Sequence, residues 1–126
     1  MICGIGTDIV ETSRLKKIVE KWREKFLQRV FTDVEIKYCA GRAEASIHYS
    51  ARFAAKEAFL KALGIGLGRG VKLQEIGVIH DEKGKPSLVL TGEAKAQIAA
   101  RSIAAIHLSL SHTKDYATAV VVLEKI

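Results

Sequence analysis

The chain has 126 residues, of which 48% are hydrophobic and 27% are charged, and its formal net charge is +6. This composition is typical of one globular domain spanning residues 1–126, and no apolar run approaches the roughly 20 residues that cross a bilayer. We expect a cytoplasmic protein whose partner is anionic: nucleic acid, a phosphate-rich small molecule or an acidic protein. The two cysteines, Cys3 and Cys39, lack metal-site spacing and are expected to be buried free thiols.

The first ten residues, Met1 to Val10, are rich in isoleucine and predict a buried strand. Gly4 and Gly6 within it would let another backbone come close. The strand also contains Asp8, and an ionised carboxylate among apolar residues is costly unless it is paired or binds a cation. Two interpretations stay open at this point: a structural Asp that accepts backbone N–H bonds near the next helix, or a functional carboxylate.

A helix is predicted from Thr12 or Ser13 to about Gln28. Its apolar stripe, expected to face the core, comprises Leu15, Ile18, Val19, Trp22, Phe26 and Val30. Beside this stripe runs a basic band at steps of three, four and four residues, formed by Arg14, Lys17, Lys21 and Lys25. Such a band is usually a solvated face, but without acidic members and with Ile18 at its border it also suits the docking of an acidic helix.

The central helix is predicted from about Ala45 to Leu63, with Gly64 as its C-cap. Small and charged residues share one of its faces, where Glu57 and Lys61 lie one turn apart. A carboxylate beside a cation on such a face suits a metal–phosphate site, but on this helix alone an ordinary surface ion pair is the favoured interpretation, because pairs at this spacing are common.

The remaining elements are shorter. A capping box over Thr32–Glu35 predicts a short helix that ends at Gly41. The glycine-rich segment 64–70 predicts a loop rather than a phosphate-binding loop, because it lacks the GK[ST] sequence and follows a helix C-terminus. Two β-hairpins are predicted, the first pairing 76–80 with 86–90 and the second pairing 105–113 with 117–123. Between them, a helix is predicted from Thr91 to about Ser102, with Ala94, Ile98 and Ala99 facing the core. These elements place the chain in the α+β class.

Three stretches carry a family resemblance: GIGTDIV at 4–10, RFAAKEA at 52–58 and LSLSHT at 108–113. Together with FTDVE at 31–35 and GKP at 84–86, all in this order, they make the chain resemble the holo-acyl-carrier-protein synthases. These are the small bacterial type in the 4'-phosphopantetheinyl transferase superfamily. The resemblance implies an antiparallel sheet packed against a long central helix, and a homotrimer with active sites shared between subunits.

The resemblance also implies a reaction. In it, 4'-phosphopantetheine passes from coenzyme A to a serine of apo acyl carrier protein, adenosine 3',5'-bisphosphate leaves, and Mg²⁺ is required; the product serves fatty acid biosynthesis. Asp8 and Glu57 occupy the positions that the family uses for Mg²⁺, and Lys61 is placed to meet the pyrophosphate. The proton acceptor stays open between Asp8, Glu57 and a water on the metal, with the water favoured.

The remaining expected site residues fall into two groups. Those expected to bind coenzyme A, in addition to Lys61, are Arg52, Lys56, Gly64, Lys85, Pro86, His112 and Thr113. By resemblance, Lys85, Pro86, His112 and Thr113 are the neighbouring subunit's contribution around the adenosine and 3'-phosphate. The residues expected to dock the acidic carrier protein are Arg14, Lys17, Ile18, Lys21 and Lys25.

Two rival functions deserve comparison. A small basic nucleic-acid-binding domain would suit the net charge, but only 6% of residues are aromatic and no helix-turn-helix or RRM signature appears. A non-catalytic binder of carrier proteins would not need Asp8, Glu57 and Lys61 together. We therefore expect an enzyme that binds neither nucleic acid nor membrane.

Overall fold

Strands from the two ends of the chain form a three-stranded antiparallel sheet. The computed structural model describes residues 1–66 and 69–126. In the sheet, β1 (Ile2–Glu11) and β4 (Ile103–His112) flank β5 (Tyr116–Lys125), while β2 (Ile76–His80) and β3 (Pro86–Leu90) form a separate hairpin. The helices are α1 (Thr12–Trp22), α2 (Glu24–Val30), α3 (Asp33–Ala40), α4 (Ala45–Leu63) and α5 (Gly92–Ala100). The predicted α+β class is confirmed.

Helix α4 is the central element and lies against β1 and β5. Its buried residues lie on nearly every side, and the core includes Phe59 and Leu60 together with Val121 and Leu123 of β5. The helix comes this close because β1 has glycines where it crosses: a Cβ on Gly4 would collide with the Ala62 carbonyl. The predicted bounds of α4 and the predicted close approach are both confirmed.

The long helix predicted to reach Gln28 is wrong, because it breaks at Arg23. This residue has φ of 47°, in the left-handed region, and separates α1 from α2. Trp22 consequently ends α1 and is 52% exposed instead of facing the core. Lys25 lies on α2, so the basic band on α1 itself ends at Lys21.

The face of β1 that points away from α4 is exposed. Ile2, Ile5 and Ile9 are 58%, 62% and 64% exposed, so the prediction of a fully buried strand is wrong for this face. Cys3 is exposed as well, whereas Cys39 is buried as predicted. The apolar residues on this face therefore have no covering layer within the described part of the chain.

Local signals predicted the shorter elements well. The Thr32–Glu35 capping box, the first hairpin with its turn at Gly84, and Gly64 in the left-handed conformation after α4 are all confirmed. Helix α5 ends earlier than predicted, and Ala99 is exposed. Residues 67 and 68 of the glycine-rich segment lie outside the described residues. Among the described residues, no helix combines the length and apolar character needed to cross a bilayer.

Candidate active site

Asp8 and Glu57 line one groove of about 420 Å³ between β1, α1, α2 and α4. Side chains alternate along a strand, so Gly4, Gly6 and Asp8 all point toward α4. The two glycines bring the helix onto the strand, and Asp8 then extends toward the helix face that carries Glu57. The two predicted carboxylates are therefore brought together from positions 49 residues apart in the sequence.

The electrostatics of the groove suit a cation. Burial raises the pKa of Glu57, the negative charge of Asp8 raises it further, and Lys61 opposes the shift. Lys61 Nζ donates to Asp8 Oδ1 at 3.0 Å and to the Thr7 carbonyl at 3.1 Å. The sequence suggested a pair between Lys61 and Glu57 on one helix, but Lys61 reaches across to β1 instead.

The donor set fits Mg²⁺. This ion is usually bound by one or two carboxylates, and its other positions are taken by water and phosphate oxygens. Asp8 and Glu57 supply two carboxylates, and the described residues contain no cluster of three or more Asp, Glu, His or Cys side chains that would form a closed cage. The two carboxylates would therefore form an open metal site that leaves room for a phosphate.

The walls of the groove are mainly apolar and were missed by the sequence analysis. Val10, Leu15, Ile18, Phe26 and Phe53 line it beside the carboxylates, with Arg14 and Tyr116 also in the lining. Phe53 could have been found, since it lies one helical turn before Glu57. Phe26 and Tyr116 arrive from other elements, and only the fold brings them here.

Lys56 does not line this groove, and its burial leaves no proton of its ammonium group free for the predicted contact with a nucleotide phosphate. Its ammonium group is fully buried and donates to Glu35 Oε1 at 2.7 Å and to the carbonyls of Ile76 and Leu73 at 2.7 and 3.0 Å. All three protons are thus used. Burial lowers the pKa of Lys56, and the carboxylate of Glu35 opposes that shift.

Arg52 is also directed away from the carboxylates. Its guanidinium is buried, donates to the His48 carbonyl at 3.2 Å, lies 3.2 Å from His80 Nδ1, and stacks over Tyr38 at 4.4 Å. Burial lowers the pKa of His48 and His80, and the charge of Arg52 lowers both further. The ring of His112 lies 6.4 Å from that of His48, which extends this basic, aromatic cluster to the end of β4.

The other predicted coenzyme A residues are distributed over separate loops. Lys85 and Pro86 lie where β3 begins, and the Lys85 backbone N–H donates to Asp81. Thr113 accepts from the Tyr116 backbone N–H at the turn between β4 and β5. Within the described residues of one chain, neither these nor Gly64 and His112 line the groove with Asp8 and Glu57. Their contribution to a neighbouring subunit's site stays a prediction.

The predicted docking residues on α1 are accessible. Arg14, Lys17 and Lys21 are exposed and Ile18 is half-buried. Arg14 and Ile18 also line the groove, so this surface continues directly into the candidate active site.

Comparison with known proteins identifies the family. The family model described as "4'-phosphopantetheinyl transferase superfamily" matches residues 4–121. The chain belongs to this superfamily. Its relatives in the 4'-phosphopantetheinyl transferase superfamily include "Holo-[acyl-carrier-protein] synthase" of Syntrophus aciditrophicus, which is 51% identical over 98% of this chain and 97% of the relative.

Solved structures within the superfamily share the fold. The holo-[acyl-carrier-protein] synthase from Neisseria meningitidis is 36% identical, with a TM-score of 0.91 over 99% of this chain and 100% of that one. The holo-(acyl-carrier-protein) synthase from Bacillus anthracis, solved in complex with "CoA (3',5'-ADP)", is 38% identical, with a TM-score of 0.83 over 100% and 99% of the two chains. The sequence-based assignment to this superfamily is confirmed.

Proposed function

We propose that this chain transfers 4'-phosphopantetheine from coenzyme A to a serine of apo acyl carrier protein and releases adenosine 3',5'-bisphosphate. The observation that carries the proposal is that Asp8 and Glu57 line one groove while Lys61 donates a hydrogen bond to Asp8. Full-length relatives named holo-[acyl-carrier-protein] synthase support the choice of substrates. The reaction belongs to the cytoplasm, where it supplies carrier protein for fatty acid biosynthesis.

Asp8 and Glu57 are the residues that would hold Mg²⁺. The ion would neutralise charge on the pyrophosphate oxygens of coenzyme A. Lys61 Nζ has three protons, of which two are engaged by Asp8 and the Thr7 carbonyl, so one remains for a phosphate oxygen. In the transfer, the serine oxygen bonds to the β-phosphorus and the bridging P–O bond to the leaving nucleotide breaks. The serine proton is taken up by a base in the groove, and water held by the carboxylates is favoured over Asp8 or Glu57 themselves.

The groove also has a place for the uncharged part of the substrate. Its apolar wall, formed by Leu15, Ile18, Phe26 and Phe53, begins beside the carboxylates. The pantetheine arm carries no charge, so burial against this wall is favourable. The basic residues of α1, Arg14, Lys17 and Lys21, lie at the rim, where an acidic carrier protein would be attracted.

A homotrimer would explain two features of the single chain. Ile5, Ile9 and Val120 form an exposed apolar patch on the outer sheet face, which is typical of a surface covered by another subunit. His112, Thr113, Lys85 and Pro86 lie away from the carboxylates within one chain. A neighbouring copy packed on this face would bring a second set of these residues toward the groove.

The test is to incubate the purified protein with apo acyl carrier protein, coenzyme A and Mg²⁺ and then to measure the intact mass of the carrier protein by mass spectrometry. We expect a Mg²⁺-dependent gain of one phosphopantetheine, which Asp8→Asn and Glu57→Gln abolish. Glu82→Gln is the matched control, because Glu82 is an exposed carboxylate in the turn between β2 and β3. Absence of the mass gain with the unchanged protein, or its persistence in Glu57→Gln, would contradict the proposal.

A further inference from the structure

Trp22 is exposed although its helical spacing predicts burial. It is 52% exposed at the last position of α1, and the left-handed backbone of Arg23 turns the following helix away from it. Arg14, Ile18 and Trp22 are spaced four residues apart and therefore form one ridge along α1. A half-exposed tryptophan on such a ridge offers a partner a large, rigid apolar surface, and tryptophan is among the residues most enriched at binding hot spots.

The charge around this ridge indicates the kind of partner. Residues 12–30 contain seven basic and two acidic side chains, a net charge of +5 out of +6 for the whole chain. Lys21 Nζ lies 5.2 Å from the centroid of the Trp22 ring, so a cation borders the aromatic surface directly. The complementary partner has an apolar pocket surrounded by carboxylates.

The position of the ridge connects it to the candidate active site. Arg14 and Ile18, its first two members, line the groove that contains Asp8 and Glu57. A protein that covers Trp22 at one end of α1 would therefore lie over the mouth of the groove at the other. A serine on that protein could then enter the groove.

We propose that Trp22 is the apolar anchor through which this chain recognises the acidic carrier protein. This inference rests on the proposed function and adds to it a specific residue for partner recognition. Buried tryptophans surrounded by polar contacts are the residues that most often dominate binding energy, whereas rim charges act mainly on association rate. Trp22 would thus set affinity, and the basic residues would set the rate and the salt dependence.

The chain offers a direct reporter, because Trp22 is its only tryptophan. We expect titration with a tryptophan-free bacterial apo acyl carrier protein to give a saturable change in Trp22 emission. The concentration at half-saturation should match the binding measured by calorimetry on the same sample. Emission that stays unchanged at saturating carrier protein would overturn the inference.

Kinetics of variants give the second test. We expect Trp22→Ala to raise KM for apo carrier protein about tenfold or more and to leave KM for coenzyme A within about twofold, whereas Trp22→Phe should recover most of the loss. Val34→Ala is the matched control, since Val34 is 65% exposed on α3 and lies away from the ridge. Raising the salt concentration should weaken the effect of Arg14→Glu but leave the effect of Trp22→Ala nearly constant.

The outcomes separate the two proposals. If the unchanged protein transfers phosphopantetheine but Trp22→Ala keeps its KM for carrier protein, the anchor role is wrong and the proposed function stands. If the unchanged protein transfers nothing, the proposed function itself is wrong. A thermal melt of Trp22→Ala close to that of the unchanged protein verifies that the variant is folded.

Discussion

Two lysines on one helix show how strongly the surroundings decide the role of a residue. Lys56 is fully buried with all its protons bonded, whereas the side chain of Lys61 is 55% exposed and bonds a groove carboxylate. Breaking a buried ion pair leaves an uncompensated charge in the core, but an exposed pair contributes little to stability. The same residue type is therefore part of the core at one position and, in the proposed reaction, a phosphate ligand at the other.

This contrast predicts opposite effects for the same substitution. We expect Lys56→Met to lower the free energy of unfolding by about 3–5 kcal/mol. We expect Lys61→Met to lower it by less than about 1 kcal/mol, while reducing kcat about a hundredfold or more because a phosphate contact is lost. Urea unfolding and the intact-mass assay measure the two effects. Similar stabilities for the two variants would refute this division of roles.

The histidines beside Arg52 predict a loss of stability in acid. The pKa values of His48 and His80 lie below the usual 6.5 because burial and the Arg52 charge disfavour protonation. The unfolded chain then binds more protons at pH values below 6.5, so the stability that these residues contribute is present above 6.5 and is lost as pH falls. We expect the melting temperature to fall less between about pH 7 and about pH 5 in a His48→Gln/His80→Gln variant than in the unchanged protein. Equal falls in melting temperature would count against this explanation.

The crossing of β1 and α4 brings Asp8 to Glu57. A methyl group on Gly6 would collide with the backbone of Ala58 and Ala62, which cannot move as a side chain can. Together with Gly4, Gly6 makes the crossing depend on the absence of a side chain at two positions of the strand.

Substituting this glycine tests the crossing. We expect Gly6→Ala to destabilise the protein by about 2–3 kcal/mol and to reduce transferase activity, because the helix must shift away from the strand. Gly77→Ala in β2 is the control, since a Cβ there would meet its nearest atoms at an ordinary 3.4 and 3.5 Å. Urea unfolding measures the free energy of unfolding of both variants. Equal values would show that α4 can shift away from β1 at little cost in stability.

The sequence predicted the elements whose signals are local. Capping by Thr32 and Glu35, the bounds of α4 and the turn at Gly84 depend on neighbouring residues only. The break at Arg23 was missed because an arginine with positive φ has no sequence signal comparable to glycine. The burial of Lys56 was missed because its partner, Glu35, lies 21 residues away on another helix.

The site was predicted less directly. The residue pattern alone left the roles of Asp8 and Glu57 open, and the resemblance to the superfamily is what paired them as expected metal ligands. The apolar wall from Phe26 and Tyr116 was not found, since these residues come from separate elements that meet only in the fold. Whether His112 and Lys85 complete a neighbouring site depends on a second chain, which no pattern within one chain specifies.

The outer sheet face exposes apolar side chains that no described part of the same chain covers. Ile5 and Ile9 on β1 are exposed, and the exposed Val120 on β5 lies opposite Thr7, between them. Self-association through this face would remove them from water and would also bring distant residues of a second chain toward each groove.

A charge on this face should separate the subunits. We expect the unchanged protein to be a trimer by light scattering and Ile5→Asp to be a folded monomer with strongly reduced transferase activity. Val89→Asp is the control, because Val89 is 46% exposed on β3, outside this sheet. A fully active monomer of the unchanged protein would refute the shared-site arrangement.

The carboxylate of Glu35 joins three elements at once. It accepts from the Thr32 backbone at the start of α3, from the Val78 backbone in β2 and from Lys56 on α4. Because Glu35 and Lys56 form one buried ion pair, a substitution at either position is tolerated only if the other position changes to match. In a library randomised at positions 35 and 56 and selected for soluble expression, we expect survivors to carry the acid and the lysine together or two apolar residues, with mixed combinations eliminated.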